Sequence, residues 1–262
     1  MNWNGMSTRT LGLILTLAAV LGLSRAVIAQ TFPTVLATKA EVLVPDLSGV
    51  WLPQAAGASF SKWPPPPMTP WAVARFAANK PTMGPGAVLD ANDPTINCIP
   101  PGVPYILMVP TPFEILQTPN RTLELFEYNH WVRQIYTDGR EHPKDLEDTE
   151  ISQWMGHSIG KWEGDTLVID TIGFNDKTWL DRAGHPHSDA LHLVERLRRT
   201  SHDTLEDNLT IEDPKAYANP WTGTLTFNLK PAWGIMEHIC VSPANEDKRY
   251  LEYELRAWEI PK

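Results

Sequence analysis

Residues 154–174, "WMGHSIGKWEGDTLVIDTIGF", decide how the chain is read. Gly156-His157-Ser158-Ile159-Gly160 has the G-x-S-x-G spacing of a serine-hydrolase nucleophile elbow, which needs a strained turn with a helix starting just after the serine. The residues after Ser158 do not have a helical pattern. "KWEGDTLVID" sets two runs rich in Trp, Val and Ile about Gly164-Asp165, a two-residue turn with glycine first, as type II′ requires. That turn puts Trp162 opposite Leu167, Gly160 opposite Ile169 and Ser158 opposite Thr171. Successive strand side chains point to opposite faces. Ser158, Gly160, Trp162, Leu167, Ile169 and Thr171 therefore share one largely apolar face, and His157, Lys161 and Asp170 share the other. Ser158 is a packed strand residue, and His157 faces away from it. The segment reads as a β-hairpin.

Working outward, the same grammar recurs. "FEILQ" and "RTLELFEY" flank a Thr-Pro-Asn turn, and "HWVRQIYTDGR" ends in Asp138-Gly139. "EHPKDLEDTEISQW" is acidic and turn-like. "LHLVERLRRTSHDTLEDNLTIED" predicts a second hairpin, whose turn at His202-Asp203 places Arg199 opposite Glu206 and Arg198 opposite Asp207. "TGTLTFNLKP", "MEHICV" and "RYLEYELRAWEI" add further strands. Short strands at steady spacing, with hardly any helical periodicity, predict a mainly β chain folded as an antiparallel β-barrel or sandwich.

Residues 46–111 differ. "DLSGVWLP" starts a strand, and "KWPPPPMTPWAVARFAANKP" then imposes extended polyproline geometry before one short helix with Pro70 near its first turn. This proline-rich stretch is expected to wrap the 112–262 β-meander, giving a single domain over 46–262. Upstream, Arg9 precedes the apolar run Leu11–Leu23, and Val27-Ile28-Ala29 offers small residues for cleavage. Residues 1–29 read as a secretory signal too short to span a bilayer, and 30–45 as a flexible lead-in. Removing the signal leaves 20 basic and 31 acidic residues, a net charge of −11, which excludes nucleic-acid and anionic-membrane partners of the usual basic kind. In an exported, periplasmic or extracellular chain the two cysteines, Cys98 and Cys240, predict a single disulfide.

The densest polar chemistry lies in "GFNDKTWLDRAGHPHSDALHLVER", residues 173–196, a long connection of the kind that more often carries function than not. Across the hairpin centred on Gly164-Asp165, His157 and Asp170 stand diagonally on one face, within reach of each other, as an imidazole oriented by a carboxylate. The loop adds His187 and His192 as proton carriers, with Glu195 or Arg196 positioning a ligand and Trp179 beside them. His185, His187 and His192 suit a zinc or copper ion by ligand type, yet their spacing matches no strong metal signature. No cofactor is expected, with a divalent metal the one alternative. In "YNHWVRQIY", alternation sets Tyr128, His130 and Tyr136 on one face, lining a cavity, and Trp131, Arg133 and Ile135 on the other. Arg133 or Arg196 is the expected anion holder.

Two resemblances rest on these residues. "PFEILQTPNRTLELFEYNHWVRQIYTDGREHP", "GKWEGDTLVIDTIGFNDKTWLDRAGHPHSDALHLVERLRR" and "TIEDPKAYANPWT" together resemble a widespread family of uncharacterised secreted bacterial proteins, over about residues 46–245. That resemblance implies export and carries no activity. "LSGVW" is similar to the Gly-x-Trp opening of lipocalin-like, or calycin-like, barrels, which implies a small-ligand cavity inside the barrel. The function expected is an exported small-molecule enzyme using acid–base chemistry of lyase, isomerase or hydratase type. The alternatives are a periplasmic carrier for a hydrophobic or aromatic ligand and a His-ligated metalloenzyme.

Overall fold

The structure is a computed structural model, and it describes residues 44–54, 66–82, 87–144, 146 and 154–240. The expected signal, most of the lead-in, and the strand read in 249–260 lie outside these residues. All the described residues fall in the compact unit Leu43–Lys262. Nine strands run in chain order: β1 (Gly49–Pro53), β2 (Phe113–Thr118), β3 (Arg121–Phe126), β4 (Val132–Tyr136), β5 (His157–Glu163), β6 (Thr166–Ile172), β7 (His192–Ser201), β8 (Thr204–Glu212) and β9 (Trp221–Leu229). Each pairs with its neighbours in sequence, and β9 returns to β1, closing a barrel.

Closure with nine strands has a consequence for direction. Every antiparallel step reverses the chain, so a ring with an odd number of strands holds at least one parallel pair. That pair is β4 with β5, joined over only Ile135↔Ser158 and Tyr136↔Ile159. The barrel is therefore mixed, which corrects the all-antiparallel expectation. A parallel neighbour cannot be reached by a tight turn. The connection between β4 and β5 must instead cross from one end of the barrel to the other. β2–β3, β5–β6 and β7–β8 close in tight turns at one end, while the longer connections β1–β2, β3–β4, β6–β7 and β8–β9 gather at the opposite, long-loop end.

Register follows local chemistry. Gly164 takes φ 64 at the β5–β6 turn, and Trp162↔Leu167, Gly160↔Ile169 and Ser158↔Thr171 pair as the sequence requires. The β7–β8 hairpin departs from expectation. Ser201↔Thr204 flank the turn, but an irregularity between Arg199 and Ser201 makes Arg198 face Glu206 and Leu197 face Asp207. One extra residue in a strand shifts everything beyond it, and here it sets Asp207, inward by alternation with Leu205 and Leu209, opposite Leu197 instead of Arg198. A second departure lies between β3 and β4. Asn129 and His130 take φ 58 and 52 in a tight turn, which breaks the alternation read through Tyr128. Arg133 and Ile135 point into the barrel, and Tyr136 points out. Met236–Cys240 forms no strand. It is tied to the β3–β4 turn, with Asn129 N–H donating to the His238 carbonyl at 3.0 Å and Met236 N–H to Glu127 Oε2 at 3.1 Å.

Trp51, Phe113, Ile115, Phe126, Ile135, Leu167, Ile169, Leu193, Leu197, Leu205, Leu209 and Phe227 fill the interior as one buried cluster. The long-loop end supplies a plug of buried residues, Val103–Val109 from the β1–β2 connection with Leu180 and Tyr217, most of which join the interior cluster. Next to the plug lies the one α-helix among the described residues, α1 (Pro70–Ala78). Thr69 caps it, accepting from Ala72 N–H, and it ends at the extended Asn79. Thr69 Oγ1 donates to the Lys215 carbonyl at 2.8 Å, and Met68 bridges to Tyr217, so the helix is fastened to the β8–β9 connection. Cys98 and Cys240 form the expected disulfide.

Candidate functional site

The β6–β7 connection, residues 173–191, is a packed wall of the long-loop end, not a loose flap. Asp181 shapes its centre, accepting from the backbone N–H of Ala183 and of His185 and facing His185 Nδ1 at 2.8 Å. The His185 ring lies flat on Phe76 of α1, with centroids 4.8 Å apart. Asn79 Nδ2 donates to the Gly184 carbonyl at 2.8 Å, and Tyr217 hydroxyl to the Pro186 carbonyl at 2.7 Å. Asp213 collects the N–H and hydroxyl of Ser188, closing the wall against the β8–β9 connection.

Between this wall and α1 lies a cavity of about 350 Å³, lined by Arg75, Ala78, Asn79, Asp176, Lys177, Thr178, Trp179, Pro186 and His187. A volume of this size suits a small organic molecule. Its lining includes a hydroxyl–imidazole pair, Thr178 and His187. His187 Nδ1 lies 3.0 Å from the Ser188 carbonyl, which can only accept, so Nδ1 carries the hydrogen. Nε2 then offers its lone pair to the Thr178 hydroxyl at 2.8 Å. Burial pushes the His187 imidazole below its ordinary pKa, against the raising effects of the Ser188 carbonyl, Asp213 and Asp176, and so favours this neutral form. Arg75 holds its guanidinium 4.6 Å above the Trp71 ring and has no carboxylate partner among the described residues.

Inside the barrel is a second constellation. Arg133 uses all five of its N–H groups there: two on Glu195, one on Glu124 at 3.3 Å, one on Thr171 Oγ1 at 3.0 Å and one on Ser158 Oγ at 3.1 Å. Burial opposes its charge, but Glu195 and Glu124 more than compensate and hold its pKa above the ordinary value. Glu124 is pushed up to about 7 by burial, against the pull of Arg133 and with the help of Glu195. Asp207, pushed well up by burial and by both glutamates, completes the group. Ser158, the serine of the G-x-S-x-G match, is thus a buried acceptor for Arg133.

A third group lies on the outer face. His157 and Asp170 stand there as alternation places them, and His142 from the β4–β5 connection bridges them. Its Nδ1 is 2.8 Å from His157 Nδ1 and its Nε2 is 3.0 Å from Asp170 Oδ1. His192 takes the other Asp170 oxygen at 3.1 Å and Glu212 at 3.1 Å.

The residues singled out in the sequence therefore divide among three places. His187 and Trp179 reach the cavity. His157, Asp170 and His192 share the outer face. Glu195 and Arg133 bind each other in the interior, where every N–H of the guanidinium already has a partner. Arg196, on the outer face of β7, pairs with Glu163 at 3.0 Å, away from the connection it was read into. Tyr128 packs with Tyr105, Val109 and Trp179, and tilts over His238 in the turn before β4. His130, in the same turn, is exposed, with Nε2 3.4 Å from His238 N–H. His185, His187 and His192 have separate partners and do not converge, and the described residues hold no cluster of three or more His, Cys, Asp or Glu arranged for a metal ion.

Sequence reading missed Thr178, Asp176 and Lys177, which sit in the polar run "FNDKTW" beside the histidines that drew attention. It also missed Arg75, placed by a helix distant in sequence, and His142, hidden in an acidic turn. Glu124 had a usable signal: alternation in "RTLELF" puts it on the face of Thr122 and Phe126. Compared with protein-family models, curated proteins and solved structures, the chain matches none of them.

Proposed function

We propose that the chain is a small-molecule enzyme of lyase, isomerase or hydratase type, acting by proton transfer in the cavity between α1 and the β6–β7 connection. One observation carries the reading: a buried, neutral imidazole with its tautomer fixed from behind presents Nε2 to a hydroxyl that lines a cavity. That is the geometry general-base chemistry requires, a base within hydrogen-bond reach of the proton it takes and held by a third group. Thr178 is the group that meets the substrate. Its oxygen takes a substrate proton as its own hydrogen passes to His187 Nε2, and return of the two protons reprotonates the product. Arg75 and Lys177 supply positive charge where an enolate or carboxylate develops. The packed barrel interior does not favour a lipocalin-like carrier, so any carried ligand belongs in this same cavity. The disulfide supports an exported setting, as the amino-terminal apolar run predicts.

Proton abstraction from carbon leaves a direct trace in heavy water. Purified protein is incubated in D₂O with a panel of small hydroxy, keto and unsaturated acids and their neutral analogues, followed by proton NMR. We expect deuterium at carbon, or interconversion, for at least one compound, lost in His187→Gln and in Thr178→Val. A compound that binds and causes the Asp176 or Trp179 resonances to shift, yet exchanges no proton, would establish the carrier instead.

A further inference from the structure

The connection that returns the chain from β4 to β5 is fastened to the barrel wall by an imidazole pair. His142 and His157 face each other through their Nδ1 atoms at 2.8 Å. Two nitrogens at that distance share one hydrogen: one ring donates and the other must keep a lone pair. The far nitrogen of His142 faces the Asp170 carboxylate at 3.0 Å and so carries a hydrogen of its own. The surroundings are charged on every side. From the connection come His142 itself and Arg140, which pairs with Asp138 and lies 3.8 Å over the Tyr136 ring. Tyr136 of β4, which Arg121 of β3 also approaches at 5.6 Å, stacks on His157 at 5.4 Å. Asp170 of β6, His192 of β7 and Glu212 of β8 continue the string.

We propose that His142 and His157 form a pH-sensitive latch: a second proton on their facing nitrogens breaks the contact and releases Arg140–Lys144 from the outer wall of β5 and β6. With one shared hydrogen the pair holds, whichever ring donates. With two, a pair of N–H groups point at each other inside contact distance, and both the hydrogen bond and the charge balance fail. Burial, His142 and Arg140 all depress the His157 pKa, so release belongs to the acid side of neutrality. His192 is shifted the other way: bonding to Asp170, and then to Glu212, raises its pKa against the lowering effect of burial. The acid limb therefore starts with Asp170 already committed to two imidazoles. Thr178 and His187 bond to each other and to the Ser188 carbonyl, and neither bonds to the latch imidazoles.

Ring-selective NMR of ¹⁵N/¹³C-histidine protein tests this between pH 8 and pH 4.5. At pH 8 one of the two rings should show a protonated Nδ1 and the other a lone pair there, with ring-to-ring NOEs between His142 and His157. On acidification both rings should become doubly protonated while those NOEs disappear, with the Tyr136–His157 NOEs and the barrel amide spectrum retained. In His157→Gln, where the amide can donate or accept without titrating, the contact of His142 with Asp170 should persist to the lowest pH. The proposal is overturned if the NOEs survive double protonation, if they vanish only with global unfolding, or if His157→Gln loses the His142 contact at the wild-type pH.

Discussion

Arg133 shows what a single residue demands of its surroundings. A fully buried guanidinium is tolerable only when its donors and its charge are both answered, and the barrel answers with Glu195, Glu124, Thr171 and Ser158. The carboxyls outnumber the cation, since Asp207 faces the same group. The excess is resolved by protons: Glu124 titrates at about 7 and Asp207 is pushed well above its ordinary value. A carboxyl raised in the folded state binds its proton more tightly there than in the unfolded chain. Its contribution to stability is present near the unfolded pKa of 4.5 and is lost as pH rises through 7. Urea unfolding at pH 5.5 and pH 8.5 should therefore show the wild type losing roughly 2 kcal/mol from Glu124 alone. Asp207 and His192 are also raised and lose stability in the same direction, so the control has to remove Glu124 specifically. Glu124→Gln keeps an acceptor for Arg133 and should be flatter than wild type by that amount. Equal slopes in the two proteins would place the stored proton elsewhere.

At the scale of elements, the seam between β4 and β5 is the weakest part of the ring, with only two paired positions. Gly160 makes the approach possible. A Cβ there would lie 2.9 Å from Ile135 Cγ2, 3.1 Å from Leu167 Cδ1 and 3.2 Å from Thr137 Cγ2. Ile135 and Leu167 are wholly buried and have nowhere to retreat. Gly160→Ala should cost about 1–3 kcal/mol in denaturant unfolding, and an unchanged midpoint would mean that the seam yields more easily than its packing suggests. The same strands show why some elements were legible from sequence and others were not. The β5–β6 hairpin was readable because Gly164-Asp165 fixes a turn and alternation then fixes both faces. The parallel seam was not, since its partner lies beyond a connection whose acidic composition says nothing about direction. The extra residue between Arg199 and Ser201 shifts the β7–β8 pairing, and positive φ at Asn129 and His130 inverts a face; local composition does not mark such irregularities. The cavity was legible only on its loop side, because α1 contributes Arg75 and Asn79 from far away in sequence.

For the whole molecule, the question is what keeps the wrap on the barrel. The wrap residues Pro94–Asn97 end at Cys98, whose αL backbone closes a short 3-10 turn capped by Asp93. Cys240 lies beyond β9 and is itself held by Asn129 Oδ1, which accepts its N–H at 2.5 Å. The disulfide thus joins the wrap, the β3–β4 turn and the segment leaving the barrel, across a sequence separation of 142. Its effect falls mainly on the unfolded chain, since so long a loop loses the most entropy when closed. The chain-entropy relation gives about 5 kcal/mol for it, as an upper figure. The folded barrel does not need the bond for its shape, because each strand already has both neighbours and the interior cluster does not include Cys98 or Cys240. Cys98→Ser/Cys240→Ser should therefore keep the far-ultraviolet circular dichroism of the wild type at 25 °C while losing several kcal/mol in urea. The loss should also appear in wild-type protein unfolded with a reductant present. A variant as stable as the oxidised protein would mean that the unfolded chain is already held compact by other contacts. Loss of the β spectrum at 25 °C would instead make the bond a requirement of the native barrel.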